Sequence, residues 1–228
     1  MPADIVLFDL GGVLVDFGGV SAMRELAGID SDDELWRRWL TSAWVRAFER
    51  GQCSAADFAV GVVDEWGIGV SPEAFLAEFS DWPRGPLAGA ADLLVTVGER
   101  VQVGCLRNTN ALHWERHCAT WPIVDDFELR FLSFELGLVK PDPELFAAVA
   151  DLVPVDRGRV LFLDDNAINV EAALAAGLVA HHVQGVFEAR RALVSVGVLD
   201  EQGWTSRDRR AGMDGQGWTG RDRDTDGQ

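Results

Sequence analysis

The chain has 228 residues, 48% hydrophobic and 25% charged, which suits a soluble core of roughly 130 to 150 residues carrying a smaller insert. Its formal net charge of −17 disfavours general nucleic-acid binding and obliges any phosphate site to supply its own local positive charge. Three scattered cysteines argue against a disulfide framework or a structural zinc site. Met1 to Phe8 lacks a basic leader segment, and no stretch reads as a membrane span, so a cytoplasmic protein with no membrane partner is expected.

Asp4 to Asp9 (DIVLFD) is a short apolar run ending in an aspartate and followed by Gly11-Gly12. It reads as a buried strand stopping at a glycine-rich loop. Val101 to Leu106, Arg159 to Leu163 and Leu178 to Val183 read as three further strands. Amphipathic stretches between and beside them, Pro86 to Glu99, Leu112 to Ala119, Pro143 to Leu152 and Asn166 to Ala176, read as helices. Strands alternating with helices predict an α/β fold, a Rossmann-like parallel sheet with helices on both faces. Ligands of such sheets sit at the carboxyl ends of the strands.

The expected domains are a core of residues 1–16 and 84–199 and a small helical cap at 17–83. The cap is helix-periodic, with no convincing strand. Trp36, Trp39, Leu40, Trp44 and Phe48 are read as its core, and Arg37, Arg38, Arg46 and Arg50 as a solvated face. Residues 200–228 are polar and glycine-rich and are expected to be disordered. They contain a near-repeat, Gln202 to Arg209 and Gln216 to Arg223, read either as an idle duplication or as a docking element for a protein partner.

Three carboxylates fall at strand ends: Asp9, Asp164 and Asp165. Gathered in one crevice, they need a counter-charge, and Mg²⁺ with oxygen ligands plus Lys140 would supply it. The same charges suit a transferring phosphoryl group, and a carboxylate beside a divalent cation can attack phosphorus.

Four segments in order, FDLGGV (Phe8 to Val13), LRNTN (Leu106 to Asn110), SFELGLVKPD (Ser133 to Asp142) and FLDDN (Phe162 to Asn166), resemble the four motifs of the haloacid dehalogenase-like hydrolase superfamily. The DLGGV wording, the run ending at His113 and the small helical cap resemble its sugar-phosphate phosphatase branch, including alpha-glucose-1-phosphate phosphatases. The resemblance implies Asp9 as nucleophile. It implies Mg²⁺ held by Asp9, the Gly11 carbonyl and Asp165, with Asp164 in support. It also implies Lys140 holding nucleophile and phosphate, with the Asn108 and Thr109 region placing backbone N–H groups on the phosphate.

Two departures stand out. Gly11 replaces the aspartate that usually serves this family as general acid and base; Asp16 is either a stand-in or a hinge residue. Arg107 replaces the usual Ser or Thr, and it either forks onto phosphate or pairs with Asp9 or Asp164 in place of Mg²⁺. His113 is a candidate substrate contact, and with His117 it has zinc-like spacing but no third ligand. Asn169 is expected either to orient Asp165 or to lie on a helix surface. The function expected is a Mg²⁺-dependent phosphatase for a small phosphorylated metabolite, a sugar phosphate by resemblance. The competing readings are a catalytically impaired binding protein and a haloacid dehalogenase; Asp164-Asp165 argues against the latter, which needs no metal.

Overall fold

The computed structural model describes residues 3–200. The repeated tail lies outside the described residues, apart from Asp200. Strand β1 (Ile5–Phe8) is buried at every position. It lies at the centre of a five-stranded sheet with β4 (Gln102–Arg107), β5 (Leu129–Leu132), β6 (Val160–Asp164) and β7 (Val179–His182), in the order β5-β4-β1-β6-β7. Every pairing is parallel.

A strand with both faces covered has no solvent side, which is why these runs are almost uniformly apolar rather than alternating. Successive side chains still point to opposite faces. Val6 and Phe8 join Leu93, Leu94, Val97 and Leu193 on one side. Ile5 and Leu7 join Leu145, Phe146 and Val149 on the other. The first layer is built by α6 (Ala90–Gly98), α7 (Ala111–Thr120) and α11 (Gly185–Ser195), the second by α9 (Pro143–Leu152) and α10 (Ala167–Ala175), with the one-turn α8 (Ser133–Leu136) directly after β5.

The four strands expected from sequence are all present. Strand β5 was not expected. It is four residues long, lies at the sheet edge and exposes Arg130, so it carries neither the length nor the apolar continuity of its neighbours.

Five helices lie between Phe17 and Pro83: α1 (Gly19–Ala27), α2 (Asp32–Thr41), α3 (Ala43–Glu49), α4 (Ala55–Trp66) and α5 (Pro72–Ser80). Ser31, Ser42, Ser54 and Ser71 each accept a backbone N–H at the start of α2 to α5, a cap worth about 1 kcal/mol apiece. The helices close over an aromatic centre of their own in which Phe58 and Phe75 are fully buried. Phe48 stacks on Phe58 with ring centroids 4.4 Å apart.

Both chain crossings into this helical layer run through an antiparallel ribbon, β2 (Val15–Phe17) against β3 (Pro83–Pro86). Phe17 and Pro83 are therefore strand residues inside a segment expected to have none. Three- and four-residue strands, one bounded by prolines, leave no readable periodicity. Trp39 and Phe48 are buried as expected, whereas Trp44 is 40% exposed. No helix among the described residues is long and apolar enough to cross a membrane.

Candidate active site

The sheet register brings the acidic tips together. Phe8 is level with Cys105 on β4 and with Leu163 on β6. Asp9 is therefore one step beyond β1 and opposite Asp164, its N–H bonded to the Leu163 carbonyl at 2.8 Å.

Lys140 reaches into this edge. Its Nζ donates to Asp9 Oδ1 at 2.7 Å, to Asp164 Oδ2 at 2.6 Å and to the Leu106 carbonyl at 3.2 Å. All three ammonium protons are thus directed, and the lysine is 2% exposed. Burial works against the Lys140 charge, but Asp164 and Asp9 outweigh it and raise its pKa. Burial raises the Asp9 pKa, opposed by Lys140 and reinforced by Asp164.

The lysine is itself clamped. Asn108 Oδ1 accepts the Lys140 N–H at 2.7 Å, and Asn108 Nδ2 donates to the Lys140 carbonyl at 2.9 Å. Asp164 is fully enclosed, taking Asn169 Nδ2 at 3.0 and 3.1 Å and the Asn166 N–H at 2.8 Å besides Lys140. Asn169 thus orients Asp164, not Asp165 as the sequence had suggested.

Asp165 has the opposite environment. It leans over Gly12, where an added Cβ would fall 2.0 Å from Asp165 Oδ2; Gly12 has φ +70°, a conformation that favours glycine. His182 Nε2 lies 2.8 Å from the Asp165 carbonyl, giving the strand-end histidine a positioning contact. No cationic side chain among the described residues forms an ion pair with the Asp165 carboxylate. Burial and the charges of Asp9 and Asp164 push its pKa up to about 8.

Asp9, Asn108, Lys140, Asp165 and Asn169 line one cavity with Gly11, Gly12, Arg107, Thr109, Asn110 and His113, while Asp164 lies behind its wall; Phe17, Met23, Trp36, Trp39 and Trp82 form its apolar side. Trp36, Trp39 and Leu40, read from sequence as core, therefore also face this space. Among the described residues no three His, Cys, Asp or Glu side chains gather as a metal cluster. Asp9, Gly11 and Asp165 line the cavity together at the sheet edge. Asp164 is committed to Lys140 and Asn169.

Arg107 does not pair with Asp9 or Asp164; Lys140 occupies that role. The Arg107 Nη1 atom lies 3.0 Å from His117 Nδ1. Burial pushes the His117 pKa down to about 2, with the Arg107 charge adding to the effect, so the ring is neutral and accepts. His113 Nε2 lies 2.8 Å from the Phe79 carbonyl, and His113 Nδ1 lies 3.4 Å from Asn110 Nδ2. Burial lowers its pKa to about 4. Both His113 nitrogens are thereby engaged inside the protein, whereas His117 Nε2 is buried without a hydrogen-bond partner, and among the described residues the zinc spacing leads to no cluster.

The Thr109 N–H donates to Ser133 Oγ, whereas Thr109 Oγ1 is buried without a partner. Asp16 is a half-exposed ribbon residue 3.8 Å from Arg84, off the cavity lining. Cys105 is fully buried, its thiol pushed up to about 12 by desolvation.

Sequence reasoning missed three contributors. Glu49, at the end of α3, lines the cavity. Its RAFERG surroundings look like an ordinary solvated helix end. His117 gave no sign that it would meet Arg107. Asp142 receives both Arg46 Nη2 and Arg50 Nη2 at 2.5 Å, so two arginines expected on a solvated face bridge the helical layer to the turn that carries Lys140.

Residues 3–177 match the family model of the haloacid dehalogenase-like hydrolases, and the chain belongs to that family. It is similar to the D-ribitol-5-phosphate phosphatase of Bacteroides thetaiotaomicron, 28% identical over 185 residues, covering 75% of this chain and 87% of that protein. It is similar to phosphatase MT3486 of Mycobacterium tuberculosis, 28% identical over 217 residues, covering 89% of this chain and all of that protein. Among solved structures it resembles the HAD family enzyme bt-2542 of Bacteroides thetaiotaomicron in complex with magnesium and inorganic phosphate. That likeness has a TM-score of 0.63 and 28% identity, and covers 80% of this chain and 94% of that one.

Proposed function

We propose that the chain is a Mg²⁺-dependent phosphatase of small phosphorylated metabolites, acting in the cytoplasm through an aspartyl-phosphate on Asp9. One observation carries the reading: Asp9 is held at the cavity floor by Lys140, 2.7 Å away, beside a second carboxylate, Asp165, that has no cation of its own.

The donor set fits a divalent cation. Asp9, Asp165 and the Gly11 carbonyl are hard oxygen donors, and a divalent cation would offset the mutual repulsion of the carboxylates gathered there. When bound there, Mg²⁺ supplies charge neutralisation for the phosphoryl oxygens and for the attacking carboxylate.

The protein's own residues do the rest. Lys140 fixes the Asp9 oxygen toward the cavity and shares its charge with the phosphoryl group. Asn108 keeps the lysine from swinging away. Arg107, anchored on His117 rather than lying across Asp9, leaves the nucleophile open and turns its remaining guanidinium donors to the phosphate. That placement favours an enzyme over a decayed binding site, because the residue suspected of blocking Asp9 is bonded elsewhere. Helices α1 to α5 act as a cap that excludes water from the cavity.

The similarity to a D-ribitol-5-phosphate phosphatase supports a sugar or polyol phosphate as substrate. The test is turnover of 4-nitrophenyl phosphate with Mg²⁺, with chelator and with Asp9→Asn. The reading predicts activity only in the first case; equal activity with chelator, or in Asp9→Asn, would refute it.

A further inference from the structure

We propose that Glu49, delivered by the helical layer, is the general acid and base of the reaction, replacing the carboxylate that Gly11 lacks. The inference rests on the phosphatase reading and assigns a step that reading leaves without a residue.

The ionisable side chains lining the cavity are Asp9, Glu49, Arg107, His113, Lys140 and Asp165. Five are unsuited to hand a proton to a departing oxygen. Asp9 attacks phosphorus. Lys140 is locked between Asp9 and Asp164 with its pKa raised. Arg107 remains a guanidinium at any working pH. His113 has both nitrogens engaged inside the protein and is neutral. Asp165 belongs with Asp9 at the metal end. Asp16, the first acidic residue after the missing position, lies off the cavity lining.

Glu49 has the right surroundings. It lines the cavity with Trp36, Trp39 and Leu40, carried there by α3 of the helical layer, whereas Asp9 and Asp165 stand at the sheet edge. Its helix is tied to the Lys140 turn by Arg46 and Arg50 on Asp142. Burial raises the Glu49 pKa to about 7, against a hydrogen bond from the Trp39 side chain and the charges of Lys140, Arg46 and Arg107. A carboxylic acid titrating near neutrality serves equally as donor and acceptor of a proton.

The proton balance closes. As the bond from Asp9 to phosphorus forms and the ester P–O bond breaks, the Glu49 proton moves to the leaving oxygen, which departs as a neutral alcohol. The Glu49 carboxylate then takes a proton from water as the water oxygen attacks phosphorus. The Asp9–phosphorus bond breaks, phosphate leaves, and Glu49 is protonated again.

Leaving-group dependence tests this. A phenolate with a nitro group departs without a proton, whereas plain phenolate gains from one. In Glu49→Gln the ratio of kcat/KM for 4-nitrophenyl phosphate to that for phenyl phosphate should widen at least tenfold over the unmodified protein. Because kcat/KM reports only steps through phosphorylation of Asp9, slow hydrolysis of the intermediate does not disturb the comparison.

Glu49→Gln/Gly11→Asp should narrow the ratio again; a Cβ at Gly11 would meet only ordinary contacts, at 3.8 Å from Asp9 and Phe17. In the unmodified protein, kcat/KM for phenyl phosphate should fall as pH rises through about 7, with no matching limb for 4-nitrophenyl phosphate. A merely structural Glu49 would lower both esters alike, and an unchanged ratio would overturn the proposal. Absence of turnover of either ester by the unmodified protein would instead refute the phosphatase reading.

Discussion

Arg107 and His117 form a buried pair, with Nη1 and Nδ1 3.0 Å apart, and the His117 ring is stacked on Trp121 at a centroid distance of 4.0 Å. The arginine that departs from the family pattern is therefore matched by a histidine that receives it. Arg107→Ser should raise the inhibition constant of inorganic phosphate at least tenfold, because a guanidinium at the cavity is lost. It should also cost about 1–3 kcal/mol of stability, because His117 Nδ1 loses its donor in a buried place. Phosphate inhibition and urea melts check the two effects separately. Tighter phosphate binding in the variant would show that Arg107 obstructs the site.

His117 also predicts a pH effect on stability. Its folded pKa, about 2, lies below the unfolded value near 6.5. The stabilisation from keeping the ring neutral is fully present above about pH 6.5 and is lost as pH falls toward 2. Between pH 6 and 5 the unmodified protein should lose about 1 kcal/mol more than His117→Phe. The variant keeps an aromatic ring against Trp121 and removes the titration. Chemical denaturation of both proteins at the two pH values gives the difference, and parallel losses would show that His117 takes up no proton on unfolding.

Gly12 is where backbone geometry and the acidic site meet. Gly12→Ala places a Cβ 2.0 Å from Asp165 Oδ2 at a positive φ. The variant should lose about 1 kcal/mol or more from backbone strain. It should also need far more Mg²⁺ for half-maximal activity, since Asp165 must move. A Mg²⁺ titration of activity reads this directly, and an unchanged half-saturation point would remove Asp165 from the metal site.

Asp142 stands at the start of α9 but makes no capping hydrogen bond there; its Oδ2 takes Arg46 and Arg50 instead. Asp142→Asn should therefore leave α9 intact and loosen the helical layer against the core. KM should rise severalfold and lose part of its salt dependence. The three side chains are about a quarter exposed, so the coupling in a double-mutant cycle with Arg46→Gln should be about 1 kcal/mol or less. Zero coupling would mean that the two arginines are surface charges with no closing role.

The fold was legible where burial on both faces forces continuous apolar runs, as in β1, β4 and β6. It was illegible where elements are short and set by tertiary pairing, as in the edge strand β5 and the β2–β3 ribbon. Asp9, Lys140, Asp164 and Asp165 were legible as a group because each ends a strand or begins a helix turn, and topology alone brings such ends together. Their division of labour was not. Only the structure shows that Asn169 and Lys140 take up Asp164, while Asp165 lines the cavity. Glu49 and His117 were missed for a related reason: their chemistry comes from burial among residues distant in sequence, which no local pattern records.

Phosphorylation of Asp9 itself is the most direct test. The protein is mixed with 4-nitrophenyl phosphate and Mg²⁺, quenched in acid, and its peptides are mapped by mass spectrometry. A phosphoryl group on Asp9, missing in Asp9→Asn and in chelator, is the predicted result. Mg²⁺-dependent turnover with the label on another residue, or with no covalent phosphoprotein when hydrolysis is slowed by Glu49→Gln, would contradict it.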